Sequence, residues 1–466
     1  MFLNIDCKNP IDVAAIDDNE SVISYGDLVN FCNIFGKVIR KRTLIFILSE
    51  NCIGALAGYF GALSNRIVPL IINSETEIDL VHNLLDMYKP EFLWLPERLQ
   101  SHYGNKTIFN YQNYSLVETG ENAPVLHEEL SLLLPTSGST GSSKLVRHSY
   151  RNIEDNARNV SLLFELTKDE RALATLPIFY TMGLSVISSH IYSGATVLLT
   201  QRNLTDVNFW SFIKKHKATS FTGVPYSYEI LNRLRFFKMD LPHLKLITQG
   251  GGKMDENLFR SCANYANTHG KKFIATYGQT EGTARMAYLP ADLANSKICS
   301  IGRAIPNGTL FLVNEQGQII NEQEATGQMV FKGTNVTLGY AYSADDLIKG
   351  DENKGVLFTG DLAKRDADGC FYIIGRMGRF LKLFGLRVGL DECEKIIKDE
   401  YGIECACTGT DECMFVYITD ENFIEKVKIL LIQKTKIIAS AFKVCVISEI
   451  PKNESGKILY SKLNKK

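Results

Sequence analysis

The chain is short of several things, and each shortage excludes a class of function. It has no excess charge of one sign: 51 Lys and Arg stand against 52 Asp and Glu, a net charge of −1. A broad single-sign field is therefore missing, and nucleic acid or an anionic membrane surface is not the expected partner. No stretch of about 18 uncharged apolar residues occurs, so no membrane span is expected. The most apolar zone, 44–72, is interrupted by Glu50, Asn51, Asn65 and Arg66. The first residues, MFLNIDCKNP, lack the basic start and long apolar run of a secretory signal. Eleven cysteines, an odd number, show no framework spacing. They read as reduced thiols of a cytoplasmic protein. Cys405, Cys407 and Cys413 lie close in sequence but without a CxxC pair or a nearby His, so buried structural thiols are expected rather than a metal site.

What is present is ordinary globular material. The 466 residues are 45% hydrophobic and 22% charged, enough for two or more structural units with cores that need no staple. Through the first 250 residues, apolar runs of strand length alternate with helical patterns. LIFIL (44–48) precedes CIGALAGYFGAL, IVPLII (67–72) precedes EIDLVHNLLDMY, and RALATLP (171–177) precedes GLSVISSHIYSG. Continuous apolar strands joined by helices predict a parallel sheet covered on both faces, with ligands at the carboxyl ends of its strands. From about 300 the texture changes to short strands between Gly, Asn and Asp turns, a small β unit. After Arg376 a basic, mixed segment predicts a separate α+β domain, with Gly375, Gly378 and Gly385 at its start.

Residues 132–149 read LLLPTSGSTGSSKLVRHS. A buried strand runs into Pro135, and a Ser/Thr/Gly loop follows. Glycine lets the backbone approach a ligand closely, and successive N–H groups form a nest for oxygen anions. The hydroxyls of Thr136, Ser137, Ser139 and Thr140 add donors, and Lys144 adds a charge. A Walker loop needs Gly five residues after Gly138, where Ser143 stands, and Ser or Thr after the lysine, where Leu145 stands. The segment is a phosphate clasp of another kind, or a polar surface loop. Three further segments carry chemistry. In IATYGQTEGTA (274–284), Tyr277 can stack on a purine, Thr280 can donate to a phosphate and Glu281 can hold Mg²⁺. Upstream, Gly250, Gly251 and Gly252 end a strand and permit close packing against a flat ring. In FTGD (358–361) and YIIGR (372–376), Asp361 and Arg376 can hold a ribose diol from the acceptor and donor sides. The tail IPKNESGKILYSKL places Lys457 after Gly456 in a polar loop.

Taken in order, these segments resemble the adenylate-forming superfamily: acyl-CoA synthetases, adenylation domains of peptide synthetases and luciferase-like enzymes. The family's TSGSTGxPK appears as TSGSTGSSK (136–144) and YGxTE as 277–281. TGD stands at 359–361 and GRxxxxIKxxGxRxxxxEIE appears as GRMGRFLKLFGLRVGLDECE (375–394). PxTxSGK appears as PKNESGK (451–457). The resemblance implies an α/β fold: a large N-terminal domain of two α/β lobes plus a β-barrel (1–376, the barrel roughly 300–376), and a small mobile α+β domain (377–466). It implies two half-reactions, formation of acyl-AMP from ATP and a carboxylic acid, then transfer to a thiol. The cofactors are ATP, Mg²⁺ and CoA, or the phosphopantetheine of a separate carrier protein.

Residue roles follow from the same resemblance. Thr136, Ser137, Gly138, Ser139, Thr140, Gly141 and Lys144 clasp phosphates. Thr280 stands at the α-phosphate, Glu281 on Mg²⁺, and Tyr277, Gly278 and Gly250–Gly252 around adenine. Asp361 and Arg376 hold the ribose, and Lys457 bridges carboxylate and phosphate. Gly378 is the hinge, where the family usually has Asp or Lys. Lys382, Gly385 and Arg387 serve the thioester step. Amino-acid activators carry an Asp that pairs with the α-ammonium; here Tyr180 stands in its place. The expected acid therefore lacks that ammonium, in a pocket of Tyr180, Met182, Thr222, Gly223, Val224 and Tyr277. Tyr460 stands where the family often has a basic residue, three beyond the catalytic lysine.

Overall fold

The computed structural model describes residues 1–103, 106–136, 144–383, 386–410, 412–435, 437–453 and 456–463. By packing, the chain forms two compact units: Met1–Leu310 with Phe331–Leu357, and Phe311–Val330 with Phe358–Lys466.

The first unit holds two large sheets. In the eight-stranded sheet four parallel strands, Leu130–Pro135, Val68–Asn73, Leu44–Ser49 and Phe92–Pro96, form the centre. Leu44–Ser49 is buried on both faces, which is why its sequence is apolar without alternation. Antiparallel strands close both edges: Leu145–Ser149 with Gly339–Ala341 on one side, Tyr114–Glu118 with Lys106–Tyr111 on the other. The nine-stranded sheet has a parallel centre built from Lys272–Tyr277, Leu246–Gln249, Ser220–Gly223, Arg171–Ala174 and Thr196–Leu199. Its next strand is Val13–Ile16, from the start of the chain, parallel to Thr196–Leu199. The two expected α/β lobes thus appear as two sheets with parallel centres and antiparallel margins.

Helix Ile53–Ser64 is buried all round because it lies against the core of the first sheet. Its glycines let it do so. A methyl group on Gly58 would lie 2.2 Å from the Trp94 ring, and one on Gly54 would lie 2.4 Å from Tyr114. The Trp94 indole N–H donates to Gly54 O at 2.8 Å, so the close approach also satisfies a buried donor.

Where a β-barrel is expected, the described residues of 308–376 form a four-stranded sheet in the order Gly308–Val313, Ala325–Gly333, Val356–Arg365, Phe371–Arg376. The hairpin Phe380–Leu383 and Leu386–Gly389 follows, then helix Leu390–Tyr401. Strands Cys405–Thr410 and Cys413–Ile418 pair antiparallel, and helix Ile424–Thr435 crosses over to Phe442–Val446, parallel to Cys413–Ile418. Cys393, Cys405 and Cys407 pack inside this α+β core. Burial pushes the thiols of Cys393 and Cys405 up to about 12 and that of Cys407 well above the usual range. They are inert core groups. All eleven cysteines are unbonded. Among the described residues no helix is long and apolar enough to cross a membrane, and no group of three or more His, Cys, Asp or Glu could hold a metal ion.

Candidate active site

In the first unit the site is assembled where the parallel strands end. Strand Lys272–Tyr277 runs into a tight loop that holds Gly278, Thr280 and Glu281. Tyr277 O accepts from Met286 N at 2.8 Å, and Gln279 O accepts from Ala284 N at 3.1 Å. The return is so close that a Cβ on Gly278 would lie 1.4 Å from Ala284 O. Thr283 and Ala284 take left-handed backbone, φ 50° and 72°, to complete it. Behind the loop, Thr283 Oγ1 donates to Asn335 O at 2.8 Å and contacts His148 Nδ1 at 3.2 Å, while Asn335 Nδ2 donates to Gly282 O at 2.7 Å. Burial lowers the His148 imidazole to about 3, so it is neutral packing rather than an acid–base group. Arg285 is fully buried, bonded to Ser185 Oγ at 2.7 Å, and burial lowers it only to about 10, so it keeps its charge at neutral pH.

Two candidates are held by residues the sequence did not single out. Thr181, at the start of helix Thr181–Tyr192, donates to Thr280 Oγ1 at 3.0 Å. Tyr340 donates its hydroxyl to Glu281 Oε1 at 2.7 Å. The Lys144 ammonium sits over the Tyr340 ring, 3.5 Å from its centroid. The sheet explains this meeting. Lys144 immediately precedes strand Leu145–Ser149, and Gly339–Ala341 pairs antiparallel with it, Tyr340 opposite Val146. Arg147 staples the pairing, bonding Tyr340 O at 2.9 Å, Leu338 O at 3.2 Å and the Glu352 carboxylate. Ser137, Gly138, Ser139, Thr140 and Gly141 lie outside the described residues; Thr136 and Lys144 flank them.

Beside this loop lies a small apolar cluster: Leu176, Met182, Val224 and Ala284, with Tyr180 packed on it. Gly250 and Gly251 border it. A Cβ on Gly251 would lie 2.7 Å from Tyr180 Oη and 3.3 Å from both Met182 Cε and Val224 Cγ1; one on Gly250 would lie 2.9 Å from Met182 Sδ. Gly252 approaches Pro225. Gly223 O accepts from Gly250 N at 3.2 Å, and the Thr222 hydroxyl faces Thr248 Oγ1 at 2.8 Å. Ala284 joins this cluster to the Glu281 loop. Burial raises Tyr180 to about 12, so its phenol stays neutral.

The second unit carries the other candidates. Asp361 and Arg376 are register partners on neighbouring strands, and Arg376 Nε donates to Asp361 Oδ1 at 2.9 Å. Asp361 is buried while most of Arg376 is exposed. Gly378 has open space on its side-chain side. Lys382 and Arg387 are register partners in the hairpin, and Gly385 lies outside the described residues. Lys457 closes a turn: its N–H donates to Asn453 Oδ1 at 2.9 Å, its carbonyl accepts from Asn453 N at 2.9 Å, and Gly456 takes φ 76°.

Comparison with known proteins gives these arrangements a family. The model of the AMP-binding enzyme family matches residues 6–341. A 2-succinylbenzoate–CoA ligase of Bacillus mycoides is 28% identical over 352 residues, covering 72% of this chain and 70% of that protein. An indoleacetate–CoA ligase of Aromatoleum aromaticum is 32% identical over 284 residues, covering 60% of this chain and 54% of that protein. Among solved structures, o-succinylbenzoate CoA synthetase of Bacillus subtilis with its acyl-adenylate superposes with a TM-score of 0.82 over 100% of this chain and 98% of that one. At 19% identity that likeness speaks for the fold. With more than two thirds of its length matched by the family model, the chain belongs to the AMP-binding enzyme family.

Proposed function

We propose that this protein is an AMP-forming acid–thiol ligase that makes acyl-CoA from a carboxylic acid without an α-ammonium group. The observation that carries the reading is the joining, through Ala284, of the Glu281 loop to a small apolar cluster on which Tyr180 packs. One side suits a nucleotide triphosphate and the other an acyl or aryl group.

In the first half-reaction a carboxylate oxygen of the acid attacks the α-phosphorus of ATP. The bond from that phosphorus to the bridging oxygen breaks, and pyrophosphate leaves. Charge develops on phosphate oxygens, so positioned donors are the main catalytic resource. The Thr280 hydroxyl, held by Thr181, is one such donor. Lys144 is held on the face of Tyr340. Lys457 supplies the ammonium that bridges carboxylate and phosphate. Asp361 and Arg376 hold the ribose, and Tyr277 with Gly250–Gly252 frames the adenine. Mg²⁺ bound with ATP neutralises phosphate charge; a single carboxylate with a nearby hydroxyl suits it, because this ion keeps water and substrate phosphates as its other ligands. Glu281 would hold it. In the second half-reaction the thiol of CoA gives up its proton, its sulfur attacks the acyl carbon, and AMP leaves. Lys382, Gly385 and Arg387 serve this step, reached by rotation about Gly378.

The acid is read from the cluster. A free α-ammonium buried there would face Tyr180 instead of a carboxylate, and an unpaired buried charge is strongly disfavoured. Unbonded cysteines accord with a cytoplasmic setting. The phosphopantetheine of a separate carrier protein presents the same thiol as CoA. Exchange of labelled pyrophosphate into ATP over a panel of acids, with 2-succinylbenzoate and indoleacetate included, tests the first step. CoA or a carrier protein added afterwards identifies the acceptor. No exchange with any acid overturns the reading.

A further inference from the structure

Tyr460 breaks the family pattern, and the structure gives it a specific place in the second unit. Its hydroxyl donates to Glu394 Oε2 at 3.0 Å. Its ring lies under the Arg379 guanidinium, 3.7 Å from the centroid. Arg379 Nη2 donates to Glu394 Oε1 at 2.6 Å, Arg379 Nε to Asp391 Oδ1 at 2.5 Å and Arg379 Nη1 to Cys407 O at 3.1 Å. The backbone N–H of Cys407 also donates to Glu394 Oε1 at 2.6 Å. The carboxylate is thereby bonded on both oxygens, and the group is three-quarters or more buried at Arg379 and Glu394.

This network joins the Lys457 turn, used in the proposed first step, to the residue that follows the proposed hinge Gly378. Arg379 follows Gly378 directly, and its N–H bonds Arg376 O at 3.0 Å. Tyr460 follows Lys457 by three residues. Between them the chain is fixed by the Leu459 N to Pro451 O bond at 2.8 Å and the bridge of Lys452 with Ile458. Ile450, Ile458 and Leu463 pack with Ala406 and Tyr417, and Tyr460 packs on the same cluster. A lysine has a long flexible stem, so its ammonium finds the reacting oxygens only as well as its backbone is held. Burial raises the Tyr460 phenol well above the usual range, so it remains a donor at every working pH.

We propose that Arg379, Glu394 and Tyr460 form a clasp that fixes the Lys457 turn to the segment following Gly378, and that Tyr460 is a positioning residue for acyl-adenylate formation. The proposal rests on the ligase reading above. A device that only places Lys457 affects the first half-reaction and spares the second, whereas a general structural prop affects both.

The experiment measures the two half-reactions on the same preparations. Adenylation is read by pyrophosphate–ATP exchange at saturating ATP with the acid that gives the fastest exchange. Thioester formation is read from the synthetic acyl-adenylate of that acid and CoA. Tyr460→Phe keeps the ring under Arg379 and removes the hydroxyl; Tyr460→Ala removes both. Exchange is expected to fall about tenfold in Tyr460→Phe and about a hundredfold in Tyr460→Ala, with the KM for ATP and the rate of thioester formation within about twofold of wild type. Wild-type exchange that both variants retain overturns the clasp. An equal fall in both half-reactions also overturns it. A wild-type chain that exchanges with no acid overturns the ligase reading and the clasp with it.

Discussion

Removing one hydroxyl, in Tyr340→Phe, tests how the first unit holds its phosphate-handling groups. The Tyr340 phenol donates to Glu281 Oε1 at 2.7 Å, and Lys144 rides on the opposite resource of the same residue, its ring face. Burial first, and then the Glu281 charge, raise the phenol above its ordinary range, so it donates throughout neutral pH. A hydrogen bond to a charged group contributes about 1.5–3 kcal/mol, and this one is only half-buried, so the lower end applies. About 1.4 kcal/mol corresponds to a factor of ten. Tyr340→Phe should therefore lower kcat/KM for Mg·ATP in pyrophosphate exchange about tenfold, while Lys144 keeps its seat. Tyr340→Leu also removes the ring. The lost cation–π contact adds about 0.5–2 kcal/mol, a further few-fold to thirtyfold. A double-mutant cycle closes the test: Lys144→Met should cost several-fold less in the Tyr340→Leu background than in wild type. If Tyr340→Phe exchanges normally at limiting Mg·ATP, the hydroxyl does not orient Glu281 for catalysis. If the cycle is additive, Tyr340 does not hold Lys144.

Four other outcomes are expected. Gly278→Ala should abolish exchange, because its methyl would lie 1.4 Å from Ala284 O and the loop carrying Thr280 and Glu281 must open; normal exchange would show that the loop is not rigid. Lys457→Ala should stop adenylation while leaving ATP binding, measured by calorimetry, within about threefold. Tyr180→Asp should weaken turnover of the preferred acid, since it places an unpaired carboxylate in an apolar cluster; faster turnover would mean that the acid carries a cation. For pH, His148 and His190 are buried and lowered to about 3 and about 4, both from burial first. The unfolded chain therefore binds up to two more protons, and their contribution to stability is complete above about pH 6.5 and falls as pH drops toward 4. Denaturant titrations at pH 7 and pH 4.5 should show a smaller pH loss in His148→Gln than in wild type; an unchanged loss would place a charged His148 in the folded chain.

Much of this protein was written locally. A clasp for phosphates needs consecutive donors and glycines, so 136–144 stands out from any globular background. The Gly278 loop demands glycine where the backbone doubles back on Ala284, and Arg376 ends a short strand that pairs with the one carrying Asp361. Strand positions were legible for the same reason: burial on both faces leaves continuous apolar runs such as LIFIL. Distant pairing leaves no such local mark. Nothing near Val13–Ile16 tells that it lies beside Thr196–Leu199. Tyr340 reads as one more strand aromatic until Gly339–Ala341 pairs with Leu145–Ser149 and sets it under Lys144. Tyr460 reads as a missing basic residue until the α+β core brings Glu394 to its hydroxyl and Arg379 to its ring. The sequence determined which groups are candidates for meeting a phosphate, because that chemistry dictates residue types over a few consecutive positions. The tertiary structure decided which side chains hold those groups in place, because that depends on sheet edges closing over separations of about 200 residues, where no local pattern records the partner.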